Sequence, residues 1–242
     1  MHVLITGGTG LFGKALVKGF LEKGCKVTFT STNLDKANTL VSELGEENLQ
    51  YEIVKFDSED SIKSFIQANR NNGFTHLVNN ARSLNGLAVD ADGYANASSL
   101  ASEFFMAVSL PYLLTVGLSD SLVSVVNISS MYGVVPPNKN LYENGYETNP
   151  VQYGVAKAAQ IHLTKELAVR FADKGVRVNA VSFGGVEGRV DEVFRQRYAV
   201  LCPEGKMLKL NQVFNPVWFA LSDDSAGMTG HNLVVDGGWS VW

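Results

Sequence analysis

The chain opens on a short apolar, β-branched run, residues 2–6 (HVLIT), which passes straight into a glycine-rich turn at residues 7–13 and then into a helix. The helix signal covers residues 14–23: Ala15, Leu16, Phe20 and Leu21 share one face, and Gly24 supplies the stop. Residues 26–30 (KVTFT) form the next strand. A strand this uniformly apolar, followed by a helix and another strand, is buried on both faces and belongs to a parallel sheet. The pattern then repeats. Helices are expected at 35–44, 59–70, 102–119 and 152–172, and strands at 51–56, 76–79, 122–128, 176–182 and 232–235. Right-handed crossovers turn such a series into a doubly wound α/β sheet with helices on both faces.

No internal repeat, low-complexity tract or linker interrupts this programme, so the 242 residues are expected to form one domain, 1–242. Two stretches, 134–150 and 189–210, are long for simple connections. They are expected to be loops over a substrate site, with a plain surface insertion as the alternative. Apolar residues make up 45% of the chain and charged residues 18%, which excludes a disordered chain. A net charge of -4 argues against nucleic-acid binding. Cys25 and Cys202 are too few for a disulfide framework and read as reduced thiols of a cytoplasmic protein. His2, His76, His162 and His231 share no short spacing with one another or with a cysteine, so no metal site is expected. No signal peptide is visible, and the uncharged run 104–119 is too short to span a bilayer; it reads as a buried helix, with no membrane partner.

The glycine turn has the spacing Gly7-x-x-Gly10-x-x-Gly13 between a strand and a helix, the context in which such a pattern carries weight. Gly7 allows the tight turn, Gly10 lets backbone approach a pyrophosphate, and Gly13 lets the helix pack on the strand. The helix N-terminus offers N–H groups and partial positive charge to the anion. No Gly-Lys-Ser/Thr closes the loop, which favours a dinucleotide over a nucleoside triphosphate. At the end of the second strand stand Ser31 and Thr32 instead of an acid. The missing carboxylate favours NADP, with NAD the alternative; Lys36 is a further candidate there, or a solvated helix charge.

Tyr153 and Lys157, four residues apart, share one face of the long helix. A free phenol ionises near roughly pH 10, and an ammonium beside it favours the phenolate. Ser130, at the end of an apolar strand, is placed to hold a substrate oxygen beside Tyr153.

With these residues in view, the chain resembles the short-chain dehydrogenase/reductase family over nearly its whole length. The matching segments are TGGTGLFG from Thr6, FDSED around Asp57, LVNNA from Leu77, NISS from Asn127, YGVAK from Tyr153, VRVNAVS from Val176 and VVDGG from Val234. The resemblance implies a Rossmann-type fold and a nicotinamide cofactor, with Tyr153 as acid–base, Lys157 as its partner and ribose ligand, and Ser130 as substrate orienter. It also implies that Asp57, Asn80 and Ala81 lie along the adenosine half and Val186 near the nicotinamide. The cofactor-binding set is therefore Gly7, Thr9, Gly10, Leu11, Phe12, Gly13, Ser31, Thr32, Asp57, Asn80, Ala81, Tyr153, Lys157 and Val186.

The chain departs from the family pattern in several places. The glycine spacing and the long gap from Ser130 to Tyr153 look like the extended branch, which acts largely on nucleotide sugars. At 242 residues there is no room for that branch's substrate domain. Ala107 falls in the register of a proton-relay asparagine, with Ser109 nearby, Arg82 replaces a glycine, Phe183 a proline, and Gly188 a threonine. A softer resemblance links the chain to bacterial surface-glycan and flagellin-modification enzymes. That resemblance implies a sugar or sugar phosphate, with Arg189, Arg195, Arg197 and Lys206 as anion contacts and Tyr132, Tyr142 and Tyr146 as a stacking wall; surface charge and loop packing are the alternatives. The leading expectation is an NAD(P)-dependent oxidoreductase that interconverts a secondary alcohol and a ketone. The alternatives are a cofactor-retaining epimerase or dehydratase and a non-catalytic dinucleotide-binding protein. A homo-dimer or homo-tetramer is implied, through the helices around Phe104 and Ile161.

Overall fold

The computed structural model describes residues 1–82, 87–90, 93–143, 151–188 and 190–242. Seven strands form one parallel sheet in the order β3-β2-β1-β4-β5-β6-β7. They are β1 (His2–Ile5), β2 (Lys26–Ser31), β3 (Leu49–Ile53), β4 (His76–Asn79), β5 (Ser124–Ser130), β6 (Arg177–Phe183) and β7 (Asn232–Val235). The helices are α1 (Leu11–Glu22), α2 (Leu34–Leu44), α3 (Glu59–Asn69), α4 (Ala97–Phe104), α5 (Leu110–Gly117), α6 (Val151–Arg170), α7 (Glu192–Leu201) and α8 (Phe214–Leu221). A π-helical turn, Phe105–Ser109, joins α4 to α5 without a break.

Strand alternation divides the core in two. Val3 and Ile5 face α1, α2 and α8 through Leu16, Val17, Phe20, Leu40 and Val217. Leu4, between them, faces α3, α5 and α6 through Ile62, Phe65, Leu110, Leu114 and Leu167. Each of these fully buried large side chains contributes roughly 1.5–3 kcal/mol of transfer free energy. Both faces being apolar is the reason the strands read as continuous hydrophobic runs.

The strand order reverses direction at β1, which has β2 on one side and β4 on the other. A crevice opens there beyond the strands' carboxyl ends, where ligands of such sheets bind. A third apolar cluster sits beyond the end of the sheet: Met131, Leu141, Tyr198, Cys202, Met207 and Trp239, with Tyr132, Tyr142 and Phe194 against it.

The described elements follow the expected series, with β3 and β5 shifted by about two residues and three larger differences in the helices. Within the stretch expected as a loop at 189–210, α7 fills Glu192–Leu201. Its start is marked by Asp191, whose side chain accepts from the Phe194 amide at 2.8 Å, and by Glu192 in the first turn. The short α8 is a further helix; Pro216 sits in its first turn, where a missing N–H is tolerated. The helix expected at 102–119 begins earlier, at Ala97, after Asn96 caps the Ser99 amide at 2.9 Å. The run Ala97–Gly117 is then long and apolar enough, by length and composition alone, to cross a bilayer. Here it lies on the sheet, burying Leu110 and Leu114.

Arg177 locks the far side of the domain. Its guanidinium donates to the carbonyls of Ala220, Leu221 and Ser222 at 3.1, 2.9 and 2.8 Å and to Ser225 Oγ at 2.8 Å, which places a cation on the C-terminal carbonyls of α8. Arg177→Met is expected to lower stability by at least about 1.5–3 kcal/mol, the worth of one hydrogen bond to a charged group. Urea unfolding reads this directly; a midpoint equal to wild type would remove the assigned role.

Candidate functional site

The glycine turn lies at the crevice between β1 and β4. The Gly7 amide donates to Thr30 Oγ1 at 3.1 Å and the Gly8 amide to Thr30 O at 2.9 Å, which fixes the turn to β2. Gly7 has φ +69°, a conformation that favours glycine. The other glycines differ in what they allow. A Cβ at Gly13 would lie 2.2 Å from Gly7 O, and one at Gly8 would lie 2.5 Å from Phe29 Cβ, so the fold itself requires both. A Cβ at Gly10 would meet only Gly7 O, at 3.3 Å. Packing does not demand a glycine there, and the space in front of Gly10 is left clear. Gly10 is also the N-cap of α1 and makes no side-chain capping bond, so the N–H groups of Leu11, Phe12 and Gly13 head the helix beside that clearance. The Phe12 side chain turns inward, edge-on to Phe183 at 5.3 Å, leaving its backbone N–H at the head of the helix.

Thr6 is the joint between β1 and β4. Its Oγ1 accepts from the amides of Asn80 and Ala81, both at 2.9 Å, and Asn80 Nδ2 returns to Thr6 O and Gly7 O at 2.9 and 3.1 Å. Asn80 and Ala81 are thereby held against the glycine turn. At the end of β2, Ser31 is buried, with Oγ 2.9 Å from Thr9 Oγ1 and donating to Asn33 O at 3.0 Å. Thr32 is exposed beside it. Asn33 caps α2 through the Lys36 amide. Asp57 lies past β3, exposed and ion-paired with Lys55 at 3.2 Å. Val186 bridges to Leu208 in parallel fashion, and Gly188 comes near the Leu11 side chain with φ +115°. That backbone conformation explains the absence of a threonine at Gly188.

Ser130, Tyr153 and Lys157 are brought to one place by close packing. The turn after Ser130 presses on α6: a Cβ at Gly133 would lie 2.8 Å from the Lys157 carbonyl carbon, and one at Gly154 would lie 3.0 Å from Tyr132 O. Ser130 is buried and its Oγ accepts from the Tyr132 amide at 3.2 Å. Tyr153 is half-buried, and among the described residues its hydroxyl makes no hydrogen bond. The Arg82 guanidinium stacks on the Tyr153 ring, 4.3 Å from its centroid. This arginine is the group that sequence comparison marks only as a lost glycine.

Lys157 is buried. Its Nζ donates to Ile128 O at 2.6 Å and to Gln160 Oε1 at 3.0 Å, which leaves a third N–H for a ligand. Burial, and then the Arg82 charge, bring its pKa down to about 7, while Glu103 opposes the shift. A polar ladder supports this region from behind. Asn79 donates to Asn127 at 2.8 Å, Asn127 to Thr164 at 3.0 Å, and Thr164 to the Gln160 carbonyl at 2.9 Å.

Several expected contacts have other partners. Tyr132 and Tyr142 join hydroxyls at 2.7 Å, and Tyr142 packs edge-on to Phe194, so these two rings build the third cluster instead of an open stacking wall. Arg195 pairs with Glu192 at 2.6 Å and Lys206 with Glu204 at 3.1 Å. Tyr146 and Arg189 lie outside the described residues. Ala107 is buried in the π-helical turn, and Phe183 is core. Among the described residues no group of side chains could hold a metal ion.

The unequal glycines make a stability prediction. Gly13→Ala is expected to destabilise the fold by about 1–3 kcal/mol through overpacking. Gly10→Ala, at an ordinary φ but at the N-cap of α1, where alanine is disfavoured, is expected to cost less, about 1 kcal/mol or below. Thermal and urea unfolding of the two variants would contradict this by giving the reverse order.

A family profile described as enoyl-(acyl carrier protein) reductase matches residues 10–240. Among curated proteins, a 2,5-dichloro-2,5-cyclohexadiene-1,4-diol dehydrogenase of Sphingobium indicum is 28% identical, over 98% of this chain and 95% of that protein. Post-translational flagellin modification protein A of Campylobacter coli is 25% identical, over 99% of this chain and 98% of that protein. Among solved structures, a short-chain dehydrogenase from Leptospira borgpetersenii with bound NAD+ superposes with TM-score 0.84 and 25% identity, covering 99% of this chain and 92% of that one. The profile match and the end-to-end likeness to these proteins agree with the geometry at the sheet's edge: the chain belongs to the short-chain dehydrogenase/reductases, a family of oxidoreductase enzymes.

Proposed function

We propose that this chain is an NAD(P)-dependent oxidoreductase that interconverts a secondary alcohol and a ketone, with Ser130, Tyr153 and Lys157 as its catalytic residues. The observation that carries the reading is Tyr153: a hydroxyl with no hydrogen bond among the described residues, one helical turn from the buried Lys157, at the open edge of a sheet whose glycine turn leaves clearance at Gly10. The glycine turn, Ser31, Thr32, Asn80, Ala81 and Val186 would hold the dinucleotide, Asp57 would lie near its adenine end, and the third N–H of Lys157 suits a ribose hydroxyl. When bound, the nicotinamide supplies or takes the hydride. Tyr153 delivers the proton to the substrate oxygen in reduction and removes it in oxidation. Lys157 stabilises the phenolate left behind, and Ser130 orients the substrate oxygen. The absence of an acid at the end of β2 supports NADP over NAD.

The substrate loops are residues 134–150 and 189–210 of the single domain, and the shared cluster of Tyr132, Tyr142, Phe194 and Tyr198 supports their acting together. The softer resemblance implies a sugar or sugar phosphate as substrate, and the flagellin modification protein among the relatives supports that direction. A cytoplasmic setting is supported by Cys25 and Cys202, both buried and unpaired. A homo-oligomer is supported by the exposed apolar residues Phe104, Tyr112, Val116, Val151 and Val155 along α4, α5 and α6; a sizing-column dilution series would show dissociation if it is correct.

The test is NADPH and NADH oxidation against a panel of keto-sugars. Tyr153→Phe is expected to lose on the order of 10²–10⁴-fold in turnover while keeping NADPH affinity. A Tyr153→Phe enzyme as active as wild type would remove the assigned role, and a clear preference for NADH would reverse the cofactor assignment.

A further inference from the structure

Glu103 is 2% exposed, on the last turn of α4, and its Oε1 has no hydrogen-bond partner among the described residues. A buried carboxyl with an unmade bond is costly unless a charge compensates it. Its helix packs directly on α6, and α4 and α6 share a further tie, since Ser99 Oγ and Gln152 Nε2 both donate to Ala88 O, at 2.9 and 3.2 Å. Lys157, on α6, presents the converse problem. It is a buried ammonium whose two hydrogen-bond partners, Ile128 O and Gln160 Oε1, are both neutral, and no carboxylate lies within ion-pair distance among the described residues. Among the described residues, Arg82 and Glu103 are the charged groups that act on Lys157. Arg82 follows β4 and lies on the Tyr153 ring, Glu103 comes from α4, and the nearby end of β5 offers only neutral Ser129 and Ser130.

We propose that Glu103 is a positioning residue for the proton-transfer pair: its carboxylate is the buried countercharge that keeps Lys157 cationic one turn from Tyr153. The inference rests on the function proposed above only for its consequence in catalysis, not for the pairing. Electrostatics agree with the geometry. Burial raises the Glu103 carboxyl above its ordinary range, while Arg82 and Lys157 draw it back down. Among the described residues, Glu103 is in turn the carboxyl that raises Lys157. Arg82 works in the opposite sense, because a second cation near Lys157 favours its neutral form. Removing Glu103 therefore makes Lys157 lose its proton at lower pH, and removing Arg82 makes it hold the proton to higher pH.

The test reads Lys157 itself. The full-length protein is labelled with [ε-13C]lysine, the Lys157 resonance is identified by its loss in Lys157→Met, and its titration is followed in wild type, Glu103→Gln and Arg82→Gln. The Glu103→Gln midpoint is expected to fall by about one pH unit, a tenfold change in protonation equilibrium, and the Arg82→Gln midpoint to rise. An unchanged or raised midpoint in Glu103→Gln overturns the proposal. If Glu103→Gln does not fold, Glu103→Asp replaces it; a Lys157 midpoint below wild type supports the pairing, and an unmoved midpoint overturns it. Rate–pH profiles of keto-sugar reduction separate this from the function proposed above. A midpoint shift in a chain with no reductase activity leaves the pairing intact and removes only the catalytic reading.

Discussion

Every strand of the sheet runs the same way, and the rest of the molecule follows from that constraint. Parallel neighbours cannot be joined by tight turns, so each connection crosses a face of the sheet as a helix, and every strand ends on one edge. The glycine turn after β1, Ser31 at the end of β2, Asn80 after β4, Ser130 at the end of β5 and Val186 after β6 come together for that reason alone, though they are scattered along the sequence. Thr6 makes the arrangement rigid where it matters, because one buried hydroxyl receives two backbone amides from the end of β4.

The same geometry explains what could be read before any coordinates. β1, β2 and β4 stand where apolar runs place them, because strands buried on both faces carry no competing polar signal. β3 is displaced toward Leu49 because it is an edge strand, and its exposed residues Gln50 and Glu52 blur the pattern. Helix α7 was hidden by its charge: Glu192, Arg195, Gln196 and Arg197 read as a loop until Asp191 is taken as its cap. In the candidate site, the placement of Ser130 at the end of β5 and of Tyr153 and Lys157 one turn apart on α6 was legible from strand-end position and helical spacing. Arg82 and Glu103 were not. Neither matches a pattern, and their relation to Tyr153 and Lys157 exists only once α4 lies on α6.

The site also shows how a buried cation is accommodated. Asn79, Asn127 and Thr164 form a chain of neutral dipoles behind Lys157, and two carbonyl oxygens accept hydrogen bonds from its Nζ. Dipoles alone leave such an ammonium less favourable than in water, so its charge stays sensitive to every formal charge nearby. Charged residues that make no hydrogen bond to Lys157 can therefore set the pH at which it loses its proton.

The π-helical turn between α4 and α5 has a consequence for how this lineage tolerates change. Adding one residue to an α-helix rotates everything beyond it by about 100° and would swing one half of the face away from its partners. Holding the extra residue in the wider turn at Phe105–Ser109 absorbs that rotation. Glu103 on one side and Leu110 and Leu114 on the other keep their inward bearings at the same time. The helix thus carries two independent angular settings, one serving the charge beside Lys157 and one serving the core. A one-residue deletion in this turn would force them back onto a single phase, so that Glu103 and the Leu110–Leu114 face could no longer both point inward.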